Sequence, residues 1–493
     1  MKNILIRSGI SPLDTFDPAY MLIKNSIGGN VGNLIYAYSV YRTLMTENTN
    51  IVPDYYRINE QDADKINKTY DYYIIPLADA FRQNFIPHLR KYTKLIKKLT
   101  IPVIVIGVGL RAPFEPKLGE GFPFDKDVIA FVNAVLDKSA MIGVRGEITA
   151  QYLNRLGFRE EIDHTVIGCP SMYTFGKALE IRNTNITKDS LICFNSSMLS
   201  PKNVLDFITR GMKEFPNHYF IPQWLKEMKL VFSGTPSLNE KADNYPAKMS
   251  HPVYANNRVR FFLNAATWID FMRRIDLSFG ARLHGNVTAT IAGTPSIIIP
   301  KDARMRELAE HHNLTRVWWN DITEDTFLED IIEKSDFKAP EKVQTRNFEH
   351  FIKFLNKNNL SHIYNEQQVS DVVPLEEKIS KLELQPPLTP VTGCNNSDLL
   401  LRLQKIQQLL EKENSEKANK IKGIKRNKDK TIKEIKMEED ERRLIIEKKF
   451  RKKEGILQKE LMKKEETIKR LRGILNRKSV RLTLATTNKL KFK

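Results

Sequence analysis

The sequence predicts an α/β fold with two parallel sheets, followed by a long helical or coiled-coil tail. Three observations carry this. Short β-branched runs alternate with helical patterns through the first 355 residues, and a Lys/Asn-rich stretch at 176–190 splits those runs into two groups. After Pro390 there is no proline, and 45 of the last 93 residues are charged.

The β-branched runs are Ile4–Ile6, Tyr73–Ile75, Val103–Ile106, Ala140–Val144, Thr165–Ile167, Leu191–Phe194, Tyr219–Ile221, Leu277–Phe279 and Ser296–Ile299. Alternation of this kind predicts parallel sheets covered by helices on both faces. A chain of 493 residues exceeds one core of ordinary size, so two folded domains and an appendage are expected. The expected boundaries are 1–180 and 181–355 for the two α/β domains, 356–400 for a linker containing LQPPLTPVTGCNNS, and 401–493 for the tail.

Within the tail, Leu457, Leu461, Ile468, Leu471 and Leu475 step by three, four and seven, with Ile432, Ile435 and Ile446 in compatible positions upstream. Gly423, Gly455 and Gly473 weaken this ragged heptad by about 1 kcal/mol each relative to Ala. A coiled coil is the leading expectation, and a single charged helix or a disordered segment is the alternative.

Charge follows the same division. Of the net +19, residues 401–493 contribute +17 from 31 Lys+Arg and 14 Asp+Glu, leaving +2 on the body. With a near-neutral body, no specific nucleic-acid partner is expected. The basic tail is expected to meet an anionic membrane surface or to build a homo-oligomer. Cys169, Cys193 and Cys394 have no zinc or CxxC spacing, so neither a disulfide nor structural zinc is expected. The N-terminus has too short an apolar run for a signal peptide, and no window approaches the roughly 18 apolar residues of a membrane span. Cytoplasm, with peripheral attachment at the inner membrane face, is the expected location.

The most informative segment is IDLSFGARLHGNVTATIAGTPSIIIP at 275–300. An apolar strand ends at Gly280, a short turn presents Arg282 and His284, and Gly285 leads into a helix that stops at Gly293 before Pro295. Ligands of open α/β sheets bind beyond the carboxyl ends of strands, beside helix N-termini. A fixed cation, a titratable imidazole and a helix N-terminus suit an anion that must also exchange a proton. SAMIGVRGE at 139–147 repeats the arrangement with Arg145 before a helix over 147–156. Two such arginines facing each other across a cleft would suit a ligand with two anionic ends.

Three weaker signals accompany these. NSIGGNVGNLIYAYSVYRTL at 25–44 places Gly28, Gly29, Asn30, Gly32 and Asn33 before an amphipathic helix, either as a ligand loop or as a plain turn. IVIGVGLRAP at 104–113 puts Gly107 and Gly109 at a strand end, with Arg111 beyond. Cys169 in VIGCPSMY has no general base recognisable beside it and reads as a packed thiol. His311 and His312 lack a metal-ligand pattern, and Trp318 and Trp319 read as packing residues.

In chain order, the Gly-Asn turn, GVG, the Arg145 unit, GCP at 168–170, RLHG, AGTP and PKDARMRELAE together resemble the polysaccharide pyruvyl transferase family over residues 1–330. The resemblance implies two Rossmann-like domains in a GT-B-like arrangement with the active site between them. It also implies transfer of a pyruvyl group from phosphoenolpyruvate to a sugar or lipid-linked glycan acceptor. It makes Arg282 and His284 donor-site residues with Gly285 beside them, and Arg145 the second donor-binding arginine. Asn33 and Gly146 stand where family members often have Asp, and IIPLADAFR at 74–82 replaces a Gly-rich strand end. The chemistry needs an acid and cations but no metal or redox cofactor, and His284 serves as the acid if its pKa stays near the working pH. Two other readings remain open: a nucleotide-sugar glycosyltransferase or epimerase on the same architecture, and a non-catalytic glycan-assembly protein.

Overall fold

Among the described residues, ten short strands form two four-stranded parallel sheets and a two-stranded parallel pair. The computed structural model describes residues 1–239, 241–365, 372–477 and 482–483. Residues 366–371 of the expected linker, and 478–481 and 484–493 of the expected tail, lie outside the described residues. Two compact units are present, Met1–Leu409 and Leu410–Lys493.

In the first unit, β1 (Lys2–Ile6), β2 (Thr49–Pro53), β3 (Tyr72–Pro76) and β4 (Val103–Ile106) form one sheet in the order β2-β1-β3-β4. β5 (Ile142–Val144) and β6 (His164–Val166) pair with each other, and a bridge from Val108 to Val144 joins them to the end of β4. β7 (Ile192–Asn195), β8 (His218–Phe220), β9 (Leu277–Gly280) and β10 (Ser296–Ile298) form the second sheet in the order β10-β9-β7-β8. Every residue of β4, β7 and β9 is buried, as parallel strands covered on both faces require.

The nine expected strands are present, with ends shifted by one or two residues. β2 went unread because TNIVP is short, polar at its start and closed by Pro53, so it carries little β signal.

The helix expected to be amphipathic, Gly32–Leu44, is not: every residue except Asn33 is buried. Its tyrosines made it look two-faced, but Tyr36 buries its ring and donates its hydroxyl to the carbonyls of Leu77 and Ile106. This helix packs against both the β9–β10 half and the strands of the first half.

The described part of the expected linker packs on the first unit. Leu360, His362, Leu375 and Leu388 are buried, Leu388 bridges Phe261, and Glu376 pairs with Arg42 at 2.7 Å. The final helix, Asn396–Leu475, therefore starts on the body. Ile406 and Leu409 touch the core, and Lys405 pairs with Asp17 at 2.6 Å. No described helix is long and apolar enough to cross a membrane.

Candidate active site

Residues following the carboxyl ends of strands from both sheets gather in buried polar clusters within the first unit. In the second sheet the chain runs outward from β7 in both directions, so the crevice lies between β7 and β9, where ligands of such sheets bind. Asn195 ends β7 and Gly280 ends β9. Gly280 has φ +147°, and a Cβ there would lie 1.8 Å from the Asn195 carbonyl oxygen, so only glycine lets these strand ends meet. The Asn195 side-chain oxygen accepts from the Arg282 backbone N–H at 2.8 Å, and Asn286 donates to the Gly280 and Arg282 carbonyls at 3.0 and 3.1 Å. A buried amide pair thus fixes the turn that carries Arg282 into the Leu283–Ile291 helix.

Arg282 is buried. Its Nε donates to the Ser196 carbonyl at 2.8 Å, its guanidinium lies 4.2 Å from the centre of the Trp224 ring, and Nη2 stands 3.6 Å from Glu227. Glu227 is itself held by the backbone N–H groups of Gln223 and Trp224, each at 2.7 Å, and by the Tyr245 hydroxyl. Burial lowers the Arg282 pKa, against the pull of Glu227.

Arg145 follows β5 and is fully buried. Its Nε donates to the Gly107 carbonyl at 2.7 Å, and its guanidinium lies 4.9 Å above the centre of the Tyr36 ring. Both terminal nitrogens of Arg145, and Nη2 of Arg282, are buried with no hydrogen-bond partner among the described residues. Arg282 has Glu227 3.6 Å from Nη2, whereas Arg145 is a buried cation with two unpartnered donors, which is costly unless an anion meets it.

His284 lies in the first turn of the Leu283–Ile291 helix, with its ring 6.4 Å from that of Tyr36. Tyr36 is thus shared between His284 and Arg145. Burial, reinforced by Arg145 and Arg304, holds the His284 imidazole well below the usual histidine range. The condition that its pKa stay near the working pH is therefore not met by the protein alone. A second correction concerns Cys169, whose Sγ sits 3.9 Å from His284 Nε2. These residues are 115 positions apart, so only the fold brings an imidazole to the thiol.

The other sequence-predicted residues divide. Gly32 touches the site: a Cβ there would lie 2.7 Å from His284 Nδ1. Gly285 packs on Asn195 and Gln223, and Gly109 packs on Arg145 and Glu307. Asn30 bridges Trp224 and accepts from the Gly32 N–H at 2.8 Å. Asn33 instead turns its amide to the Ile27 carbonyl at 2.9 Å, closing its own loop, and Gly29 borders open space.

Several polar residues went unread. Asp79, beyond β3, has Arg82, Arg111 and Arg304 each 3.7 Å from its carboxylate. Burial works the other way, yet Arg304, Arg82 and Arg111 together hold this carboxyl below its usual range. Lys301, beyond β10, donates to Ser200 at 2.7 Å. Burial and the neighbouring Arg282 push its pKa down to about 7. The strand-end rule applied to PKDAR would have found Lys301 and Arg304. Among the described residues, no three His, Cys, Asp or Glu side chains gather as a metal site requires.

Solved structures with a similar fold include UDP-GlcNAc 2-epimerase from Methanocaldococcus jannaschii, in complex with UDP-GlcNAc and UDP. It is 13% identical, covering 72% of this chain and 99% of that one, with a TM-score of 0.40. UDP-GlcNAc 2-epimerase from Neisseria meningitidis is 12% identical over 73% of this chain and 100% of that one, with a TM-score of 0.39. The glycosyltransferase SnogD from Streptomyces nogalater is 10% identical over 72% and 99%, with a TM-score of 0.27. No curated protein matches the sequence. The polysaccharide pyruvyl transferase family model matches residues 30–302, more than half the chain, and includes GVG, Arg145, GCP, RLHG and AGTP. The chain belongs to the polysaccharide pyruvyl transferase family and is a transferase.

Proposed function

We propose that the site binds phosphoenolpyruvate and transfers its pyruvyl group to two hydroxyls of one sugar, forming a ketal. The observation that carries this reading is the pair of buried arginines, Arg145 and Arg282, each following a strand of a different sheet and each keeping a terminal nitrogen without a hydrogen-bond partner among the described residues. A small molecule with a carboxylate and a phosphate matches two planar forks, each charge-assisted hydrogen bond being worth about 1.5–3 kcal/mol.

In the proposed reaction, the His284 imidazolium gives a proton to the enol methylene while a sugar hydroxyl attacks the adjacent carbon and releases its own proton to solvent, which leaves a phosphoketal. A second hydroxyl of the same sugar then displaces inorganic phosphate from that carbon, and its proton leaves with solvent or phosphate. Neither step needs a metal or a redox cofactor. His284 starts neutral, and the bound anion raises its pKa because negative charge favours the imidazolium. Lys301, with its pKa near 7, adds a cation for the anion when protonated.

The acceptor is a sugar or lipid-linked glycan precursor. The test is phosphate release from phosphoenolpyruvate with a panel of lipid-linked and nucleotide-linked sugars. Release that depends on an acceptor supports the reading. No release with any acceptor, together with thermal protection by a nucleotide sugar and none by phosphoenolpyruvate, overturns it in favour of nucleotide-sugar chemistry.

A further inference from the structure

The second unit carries a stripe of exposed residues with symmetric spacing, nine of its fifteen positions apolar and six, Lys428, Thr431, Glu439, Arg442, Lys453 and Lys464, polar. None of the described residues of the Asn396–Leu475 helix is buried. One face runs through positions 421, 424, 428, 431, 435, 439, 442, 446, 450, 453, 457, 461, 464, 468 and 471 in steps of three and four. From Ile446, the steps read four, three, four, four, three, four, three in both directions. Their mean, about 3.57 residues, is close to the 3.6 of an α-helix, so the stripe runs nearly straight.

Ile421, Ile424, Ile435, Ile446, Leu457, Ile468 and Leu471 on this stripe are 50–60% exposed. Such a row along a helix roughly 75 Å long between positions 421 and 471 is the seam of a helix pair. We infer that the stripe seats a second copy of the same helix, antiparallel, with the two-fold axis at Ile446.

Symmetric spacing is what an antiparallel pair requires, because a residue a given number of positions before Ile446 meets one the same number after it. Ile435 then meets the partner's Leu457, Ile424 meets the partner's Ile468, and Ile421 meets the partner's Leu471. Charge selects the same orientation. Glu439 meets the partner's Lys453, Asp440 meets the partner's Lys452 and Glu441 meets the partner's Arg451, while Glu438 falls opposite the partner's Glu454 at the rim. A parallel pair in register would instead stack Lys428, Glu439, Arg442, Lys453 and Lys464 each on its own copy, five layers of like charge. On the stripe the antiparallel pair keeps two symmetry-related like-charged layers, Lys428 against the partner's Lys464 at each end, and sets Arg442 against the partner's Phe450 and Thr431 against the partner's Leu461.

Engineered disulfides in the full chain test orientation and register together, with Cys394→Ser removing the one cysteine that is not buried. Under mild oxidation Ile446→Cys should form a covalent dimer alone. Ile435→Cys and Leu457→Cys should each remain single but cross-link when mixed and equilibrated, since only paired positions bring Cα atoms within disulfide reach. Glu439→Lys should weaken dimerisation by roughly tenfold or more, and adding Lys453→Glu should restore it. Self-linking of Ile435→Cys as efficient as that of Ile446→Cys would mean a parallel pair and overturn the inference. A chain that stays monomeric by light scattering while keeping its helicity also overturns it. If that monomer binds anionic vesicles, the stripe is a membrane surface.

Discussion

Glu307 accepts two hydrogen bonds from Thr149, one from the backbone N–H and one from the hydroxyl, each of 2.9 Å. The Ala303–His311 helix of the β9–β10 half thereby closes the first turn of the Glu147–Arg155 helix, which follows Arg145 directly. The same hydroxyl accepts from the Leu110 N–H at 2.9 Å, which ties in the segment that follows β4. Burial raises the Glu307 carboxyl to about 8, against the Thr149 hydrogen bonds and the Arg145 charge. A carboxyl with a raised folded pKa stabilises fully below its unfolded pKa, and that contribution is lost as pH rises through about 8. Melting temperature should therefore fall between roughly pH 5 and 9, and fall less in Glu307→Gln. Parallel melting curves against pH for the two proteins would remove Glu307 from the account.

Arg145→Lys and Arg282→Lys each keep a charge but lose a planar fork. Donor affinity is expected to drop about 10- to 100-fold in each, measured by calorimetric titration with phosphoenolpyruvate. If both variants bind the donor as tightly as the parent, the proposed subsite is wrong.

His284→Gln is expected to reduce turnover by about 100-fold or more while leaving donor affinity within a fewfold, because a proton donor acts mainly in the transition state. Pre-steady-state phosphate release reads the first quantity and thermal protection by donor the second. Wild-type turnover would take His284 out of the mechanism.

Lys301→Met should remove a limb near pH 7 from the pH profile of kcat/KM for the donor. The sign follows from charge: below about pH 7 the ammonium is present and attracts the anion, and above it the amine is neutral. The parent should thus lose donor efficiency as pH rises through 7, and the variant should be flat there. An unchanged profile assigns that limb to another group.

Gly32→Ala tests whether the glycine loop acts by shape. Its new methyl would lie 2.7 Å from His284 Nδ1, so the imidazole must shift. Turnover should fall by about tenfold or more with little change in donor binding or melting temperature. Gly29→Ala borders open space but sits at φ +83°, so it should cost stability rather than turnover.

Much of this molecule is local. The alternation of β-branched runs and helices yielded nine of the ten strands, because parallel strands buried on both faces are apolar without interruption. RLHG between an apolar strand and a helix placed Arg282 and His284 at a strand end, where glycine and helix-start preferences act over a few residues. The tail's proline-free charge run marked a helix, and its three-four steps can be counted on the sequence itself.

Other properties depended on tertiary structure, since desolvation and Coulomb energy depend on groups far away in the chain. The sequence contained His284, but its depressed pKa comes from burial beside Arg145 and Arg304. Cys169 gains its imidazole neighbour, Glu307 its Thr149 partner and Lys301 its pKa near 7 in the same way. Helix Gly32–Leu44 looked two-faced because its polarity pattern is local, whereas the layers that bury its second face come from both halves. A residue's type and spacing fix which element it joins, and the packing of distant elements fixes how much water and charge it meets there.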